Sequence, residues 1–104
     1  MAKLTNSNYE SWSFTMKALL RRENLWKHVD PGTIPNPVTA EWKSGDERAL
    51  TTIQLLVEEN QFRIVREKDT AKETWDALKA HHSKLTLGQR VTTVIQIANK
   101  SFRR

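Results

Sequence analysis

Asn8-Tyr9-Glu10-Ser11-Trp12-Ser13-Phe14-Thr15-Met16-Lys17-Ala18-Leu19-Leu20-Arg21-Arg22 places Trp12, Met16, Leu19 and Leu20 at i, i+4, i+7 and i+8. That spacing is the apolar edge of a 3.6-residue helix, which must be buried against other elements. Asn8 reads as the N-cap, with Ser11 and Trp12 in the first turn, giving a helix over 8–22. Arg21, Arg22 and Glu23 end it, and Leu25-Trp26 is expected to tuck back onto the core.

The chain beyond this helix repeats the same grammar. Asp30-Pro31-Gly32-Thr33-Ile34-Pro35-Asn36-Pro37 cannot be regular helix, because its prolines fix φ, remove donors and push the preceding residues toward extended geometry. It predicts a loop over 30–38. Thr39 then caps a second helix over 39–59, with the stripe Trp42, Ala49, Ile53 and Leu56 widened by Leu50 and Val57. Phe62, Ile64 and Val65 suggest a short helix over 61–67. Thr70-Ala71-Lys72-Glu73 is a capping box in which Glu73 reaches back to the amide of Thr70. It opens a helix over 70–82 that buries Ala71, Trp75 and Leu78. Thr86-Leu87-Gly88-Gln89 looks like a second box, opening a helix over 86–102 with Leu87, Val91, Val94, Ile95, Ala98 and Phe102 on one side. The β-branched run Val91 to Ile95 also fits a strand, but the longer stripe favours helix. The expected architecture is all-α: one compact domain, 1–104, of about five short helices.

Composition narrows the function classes. A chain of 104 residues suits a single domain, and 38% hydrophobic residues with four Trp suffice for its core. No apolar run approaches the length of a membrane span, and Met1 to Thr5 lacks the apolar region of a signal peptide. Zero Cys excludes disulfides, thiol catalysis and cysteine-based zinc sites and suits a cytosolic protein. The net charge of +5 is uneven: residues 77–104 carry Lys79, Lys84, Arg90, Lys100, Arg103 and Arg104 and no acid. Either this end faces nucleic acid or it is a solvated helix face.

Residue chemistry gives catalysis no support. His28, His81 and His82 lack convergent partners for a metal, since adjacent histidines leave a helix on different faces. Ser83 beside His82 has no orienting carboxylate or oxyanion donors. Gly32, Gly45 and Gly88 make no phosphate-cradling loop. No metal or cofactor site is expected, and the chain does not read as an enzyme. The four Trp read as core residues. Trp26 and Trp42, flanking the Pro-rich loop, are the pair better placed to line a surface groove. A recognition helix drawn through Arg90, Lys100, Arg103 and Arg104 has a mostly uncharged polar face, Gln89, Thr92, Thr93, Gln96 and Asn99. Those cations with Lys84 allow at most weak RNA contact.

Leu4-Thr5-Asn6-Ser7-Asn8-Tyr9-Glu10-Ser11-Trp12 running on to Met16, Leu20 and Leu25-Trp26 is one ordered signature. Trp42, Asp46, Ala49 and Ile53 follow, then Thr70-Ala71-Lys72-Glu73-Thr74-Trp75-Asp76-Ala77-Leu78. In this order and at these distances the set resembles the Gag capsid region of copia-type LTR retrotransposons, over roughly Lys3 to Ile97. The resemblance implies a fold like the N-terminal domain of retroviral capsids. It also implies a core of Tyr9, Trp12, Met16, Leu20, Leu25, Trp26, Trp42, Ala49, Ile53, Ala71, Trp75 and Leu78. Asn6 stands where that family commonly has Gly, and Asn tolerates the left-handed conformation of such a turn. His82 stands where Tyr is frequent and is expected to pack as a partly exposed ring.

The function so implied is structural: self-association into a virus-like particle around the element's RNA, or a domesticated derivative of that activity. By analogy with capsid lattices, Glu10, Thr15, Lys17, Arg21 and Arg22 on the first helix and Glu41 and Arg48 on the second would carry contacts between subunits. The implied partners are further copies of the chain and, through downstream Gag segments, RNA. Particles would sit in the cytoplasm, with nuclear transit possible. A different class stays open, a capsid lobe holding a host peptide, and so does a small helical nucleic-acid-binding domain.

Overall fold

A computed structural model of the chain describes residues 1–85, within which four α-helices are joined by 3₁₀ turns and one Pro-rich loop. They are α1, Tyr9–Arg22; α2, Ala40–Leu55; α3, Phe62–Val65; and α4, helical from 71 through 85. Among the described residues the architecture is all-α, with four helices where about five were expected of the whole chain. The expected helix over 86–102, with its stripe and capping box, lies outside the described residues, as do Arg90, Lys100, Arg103 and Arg104.

α1 buries Trp12, Met16 and Leu20. It ends in a left-handed cap: Asn24 has φ +60°, its amide donates to Arg21 O at 3.1 Å, and the Leu25 amide reaches Leu20 O at 2.7 Å. This pair of bonds is a Schellman motif, which turns the chain sharply and brings Leu25 onto Leu20 in the core. A 3₁₀ turn, Trp26–His28, follows directly.

At the start of α1, Asn8 holds the N-cap position without capping the helix. Its carboxamide instead turns back, accepting from the Thr5 amide at 2.7 Å and donating to Lys3 O at 2.9 Å. That anchors the segment ahead of α1, whose Leu4 is fully buried. Leu4 pairs in an isolated parallel bridge with Val57. The Leu4 amide donates to Leu56 O and the Glu58 amide to Leu4 O, each at 2.9 Å. This pairing is why α2 stops at Leu55 and does not run to residue 59. The backbone of 56–58 is committed to Leu4 and cannot serve a helical ladder as well.

α2 begins at a working cap, Thr39 Oγ1 accepting from the Trp42 amide at 3.0 Å. Its buried face is Asp46, Ala49 and Ile53. Trp42, expected in the core, lies one turn ahead of that face, half-buried, with its ring 5.6 Å from that of His28. α3 is a single turn entered through a 3₁₀ turn, Glu59–Gln61. α4 opens on the capping box, the Glu73 amide donating to Thr70 Oγ1 at 3.1 Å. The Glu73 carboxylate meets the amide of Asp69, at 3.3 Å, and not that of Thr70.

Leu4, Trp12, Met16, Leu20, Leu25, Val29, Ala49, Ile53, Val57, Val65, Ala71, Trp75 and Leu78 form one buried cluster. Tyr9 and Trp26 pack against it half-buried. Burial of this apolar surface is the main force closing the domain.

Candidate interaction surface

Three aromatic rings link α1, the 3₁₀ turn after it and α4. Trp75 lies 6.0 Å from Trp12 in a stacked arrangement and 5.1 Å from Trp26 edge-on. The Trp12 indole N–H donates to Leu56 O at 2.8 Å, the same oxygen that serves Leu4, so this Trp is locked in the core. Trp26 is held by the Schellman turn and stays half-exposed beside α1, where the Lys17 ammonium sits 5.2 Å above its ring.

Between α1 and α4, Trp26 and Trp75 face an open groove of about 700 Å³. Tyr9, Trp26, Val29 and Trp75 supply apolar floor, and charges stand at the edges: Glu10 and Lys17 on α1, Lys72, Asp76 and Lys79 on α4. Lys72 and Asp76 pair at 3.3 Å along α4. Phe14 stands on the α1 wall with 78% of its surface exposed, the most of any large apolar residue among the described residues.

At the far end of the groove, His82 is buried, contrary to the expectation of a partly exposed ring. It stacks on Tyr9 with centroids 4.7 Å apart and planes 5° from parallel. Its Nε2 lies 2.9 Å from Gln61 Oε1, and Gln61 Nε2 donates to Asn6 Oδ1 at 2.9 Å and Asn60 Oδ1 at 3.0 Å. Because the Gln61 nitrogen is the donor, its oxygen accepts, so His82 carries its proton on Nε2. Asn6 is not left-handed; its side chain is used as an acceptor, which Gly could not offer. Burial lowers the pKa of His82, and neighbouring His81 lowers it further. The Tyr9 phenol is pushed up by burial, then by the Asp76 carboxylate.

A second, smaller cleft of about 360 Å³ lies by the Pro-rich loop, lined by His28, Thr33, Pro35, Thr39 and Trp42 among others. Trp26 and Trp42, expected as one pair, therefore face two different depressions. His28 is buried with Nδ1 unpartnered, and its ring presses on Gly45, where a Cβ would collide with it. Burial lowers the His28 pKa, Asp46 opposes that, and Lys27 adds to it.

Glu10, Thr15, Lys17, Arg21 and Arg22 all lie exposed on α1, and Glu41 and Arg48 lie exposed on α2. Only Glu10 and Lys17 of this set line the large groove. Lys84 is exposed on α4. Sequence reasoning quoted Asp46 as part of the signature but gave it no buried role, and it did not single out Gln61 at all. The available signal was a charged residue on the apolar face of α2, three positions before Ala49 and seven before Ile53. Among the described residues no cluster of His, Asp or Glu is set to hold a metal, and no helix is long and apolar enough to cross a membrane.

The family model for the gag-polypeptide of LTR copia-type elements matches residues 16–103. No curated protein and no solved structure matches the chain.

Proposed function

The chain belongs to the gag-polypeptide family of LTR copia-type elements, a structural and non-catalytic family, and on that premise we propose that it is a capsid domain that associates with copies of itself. Copies repeat weak homotypic contacts around closed symmetry, and their avidity builds a particle enclosing element RNA in the cytoplasm. RNA is held chiefly through other Gag segments, since the polar positions among the C-terminal cations, Gln89, Thr92, Thr93, Gln96 and Asn99, are uncharged.

The observation that carries this reading is the outer face of α1. It combines Glu10 and Lys17, which have no ion-pair partner among the described residues, with a large exposed aromatic beside an aromatic-floored groove. A lone exposed Phe is ordinary on a surface, but Phe14 adjoins the apolar groove of Tyr9, Trp26, Val29 and Trp75, and contiguous exposed apolar surface marks a contact site.

Light scattering coupled to size exclusion, over about a hundredfold concentration range, tests it, since assembly follows mass action. Discrete oligomers or shells that grow with concentration are expected. A strict monomer that binds Pro-rich peptide with a change in Trp fluorescence would instead make this lobe a peptide-binding module. Tight RNA binding that collapses with salt would point to a nucleic-acid-binding domain.

A further inference from the structure

We infer that α1 docks antiparallel against α1 of a second copy, the two Phe14 rings meeting at the twofold axis beside the α1/α4 grooves and each Glu10 pairing with the other's Lys17. This rests on the self-association reading above and deepens it, naming the surface, the partner and the symmetry.

The surface is complementary to itself. It presents a knob, Phe14, at 78% exposure, beside a groove floored by the half-exposed Trp26 and by Trp75. Glu10, Phe14 and Lys17 stand at i, i+4 and i+7, one stripe of the helix. With the twofold axis at Phe14, Glu10 lies four residues to one side and Lys17 three to the other. At a rise of about 1.5 Å per residue, each Glu10 falls within about 1.5 Å, along the axis, of the partner's Lys17. Two opposite-charge pairs therefore flank a central aromatic contact, an isologous arrangement.

Neither charge has an ion-pair partner among the described residues. Lys17 is already held in place over Trp26, which spares ordering its side chain on docking. A parallel arrangement would set Glu10 against Glu10 and Lys17 against Lys17, so charge selects the antiparallel one.

The test is a charge-reversal cycle read by sedimentation equilibrium, with circular dichroism showing that each exposed substitution leaves the fold intact. Phe14→Ala is expected to raise the dimer dissociation constant more than about tenfold, as loss of a central anchor does. Glu10→Lys and Lys17→Glu singly should raise it several-fold, and the double variant should return close to the parent value. That rescue belongs to this twofold pairing, because it places the two positions opposite each other. The absence of Cys allows a second readout: Phe14→Cys should oxidise to a covalent dimer, whereas Thr51→Cys, also exposed, should not.

Association that persists unchanged in Phe14→Ala, or a double variant no better than the singles, overturns this docking and leaves self-association standing through another face. A parent chain that is monomeric at millimolar concentration overturns both. In that monomer, saturable uptake of a Pro-rich peptide at the groove, or burial of Phe14 by the chain's own residues 86–104, would name the true occupant.

Discussion

Ala71, the first residue of α4, gives its amide proton to a side chain on another helix: Asp46 Oδ1 accepts it at 3.1 Å, across 25 positions of sequence. Thr70 and Glu73 satisfy neighbouring amides locally, so the start of α4 is capped from both its own turn and α2. A buried carboxylate is tolerated here because it meets a hydrogen-bond donor and the positive end of a helix.

Asp46→Ala should therefore cost about 1–3 kcal/mol, the penalty of leaving a buried amide unpaired. Asp46→Asn keeps an acceptor and should cost less. Urea denaturation separates the two, and equal stability of all three proteins would remove Asp46 from this role.

Trp12→Phe keeps an aromatic ring at the site but deletes the indole N–H that serves Leu56 O, together with part of the packed volume. A loss of about 0.5–1.5 kcal/mol is expected for that bond alone, against about 3–5 kcal/mol for Trp12→Ala. Thermal melts of the two variants check the split.

His28 and His82 both titrate below the usual histidine range because burial disfavours their charged forms. Above about pH 6.5 the unfolded chain is also neutral at these positions, so stability is full. As pH falls through that value, the unfolded chain takes up protons that the folded chain refuses, and stability declines. The melting temperature should drop between pH 8 and 5.5, with the His82 ring resonances still neutral when the loss begins. A melting temperature that rises on acidification would contradict this.

Gly45→Ala sets two effects against each other. Removing Gly from the interior of α2 should gain about 1 kcal/mol of helix propensity. The new Cβ collides with the His28 ring, which is buried and backed by Trp42, and overpacking costs about 1–3 kcal/mol. Net destabilisation with altered Trp fluorescence is expected; a more stable variant would mean that His28 moves aside freely.

Asn24, at φ +60°, should accept Gly with little change or a small gain. Asn24→Val should lose about 1–2 kcal/mol, since a β-branched residue resists the left-handed conformation. Chemical denaturation of both variants reads the difference directly.

Local signals carried much of the fold. The stripe Trp12, Met16 and Leu20, the capping box at Thr70 and the loop around its prolines each depend on residues within a few positions of one another. What escaped depends on distant partners. His82 looked half-exposed until Tyr9 and Gln61, 73 and 21 positions away, closed over it. α2 looked longer until Leu4 took up the backbone at 56–58. The exposure of the charges on α1 was legible, but Phe14 falls off the apolar stripe and drew no notice in a reading built on periodicity.

The bridge between Leu4 and Val57 is also a mechanical joint. A pull on Met1 reaches the domain first through the hydrogen bond from Asn8 to Lys3 O, then through one enclosed leucine and its two backbone hydrogen bonds of 2.9 Å. Because Trp12 is hitched to the same Leu56 carbonyl, the load divides there between α1 and the end of α2. Tension at the amino end thus works first on a short peptide strap, and the helical body beneath it bears force only after that strap has peeled away.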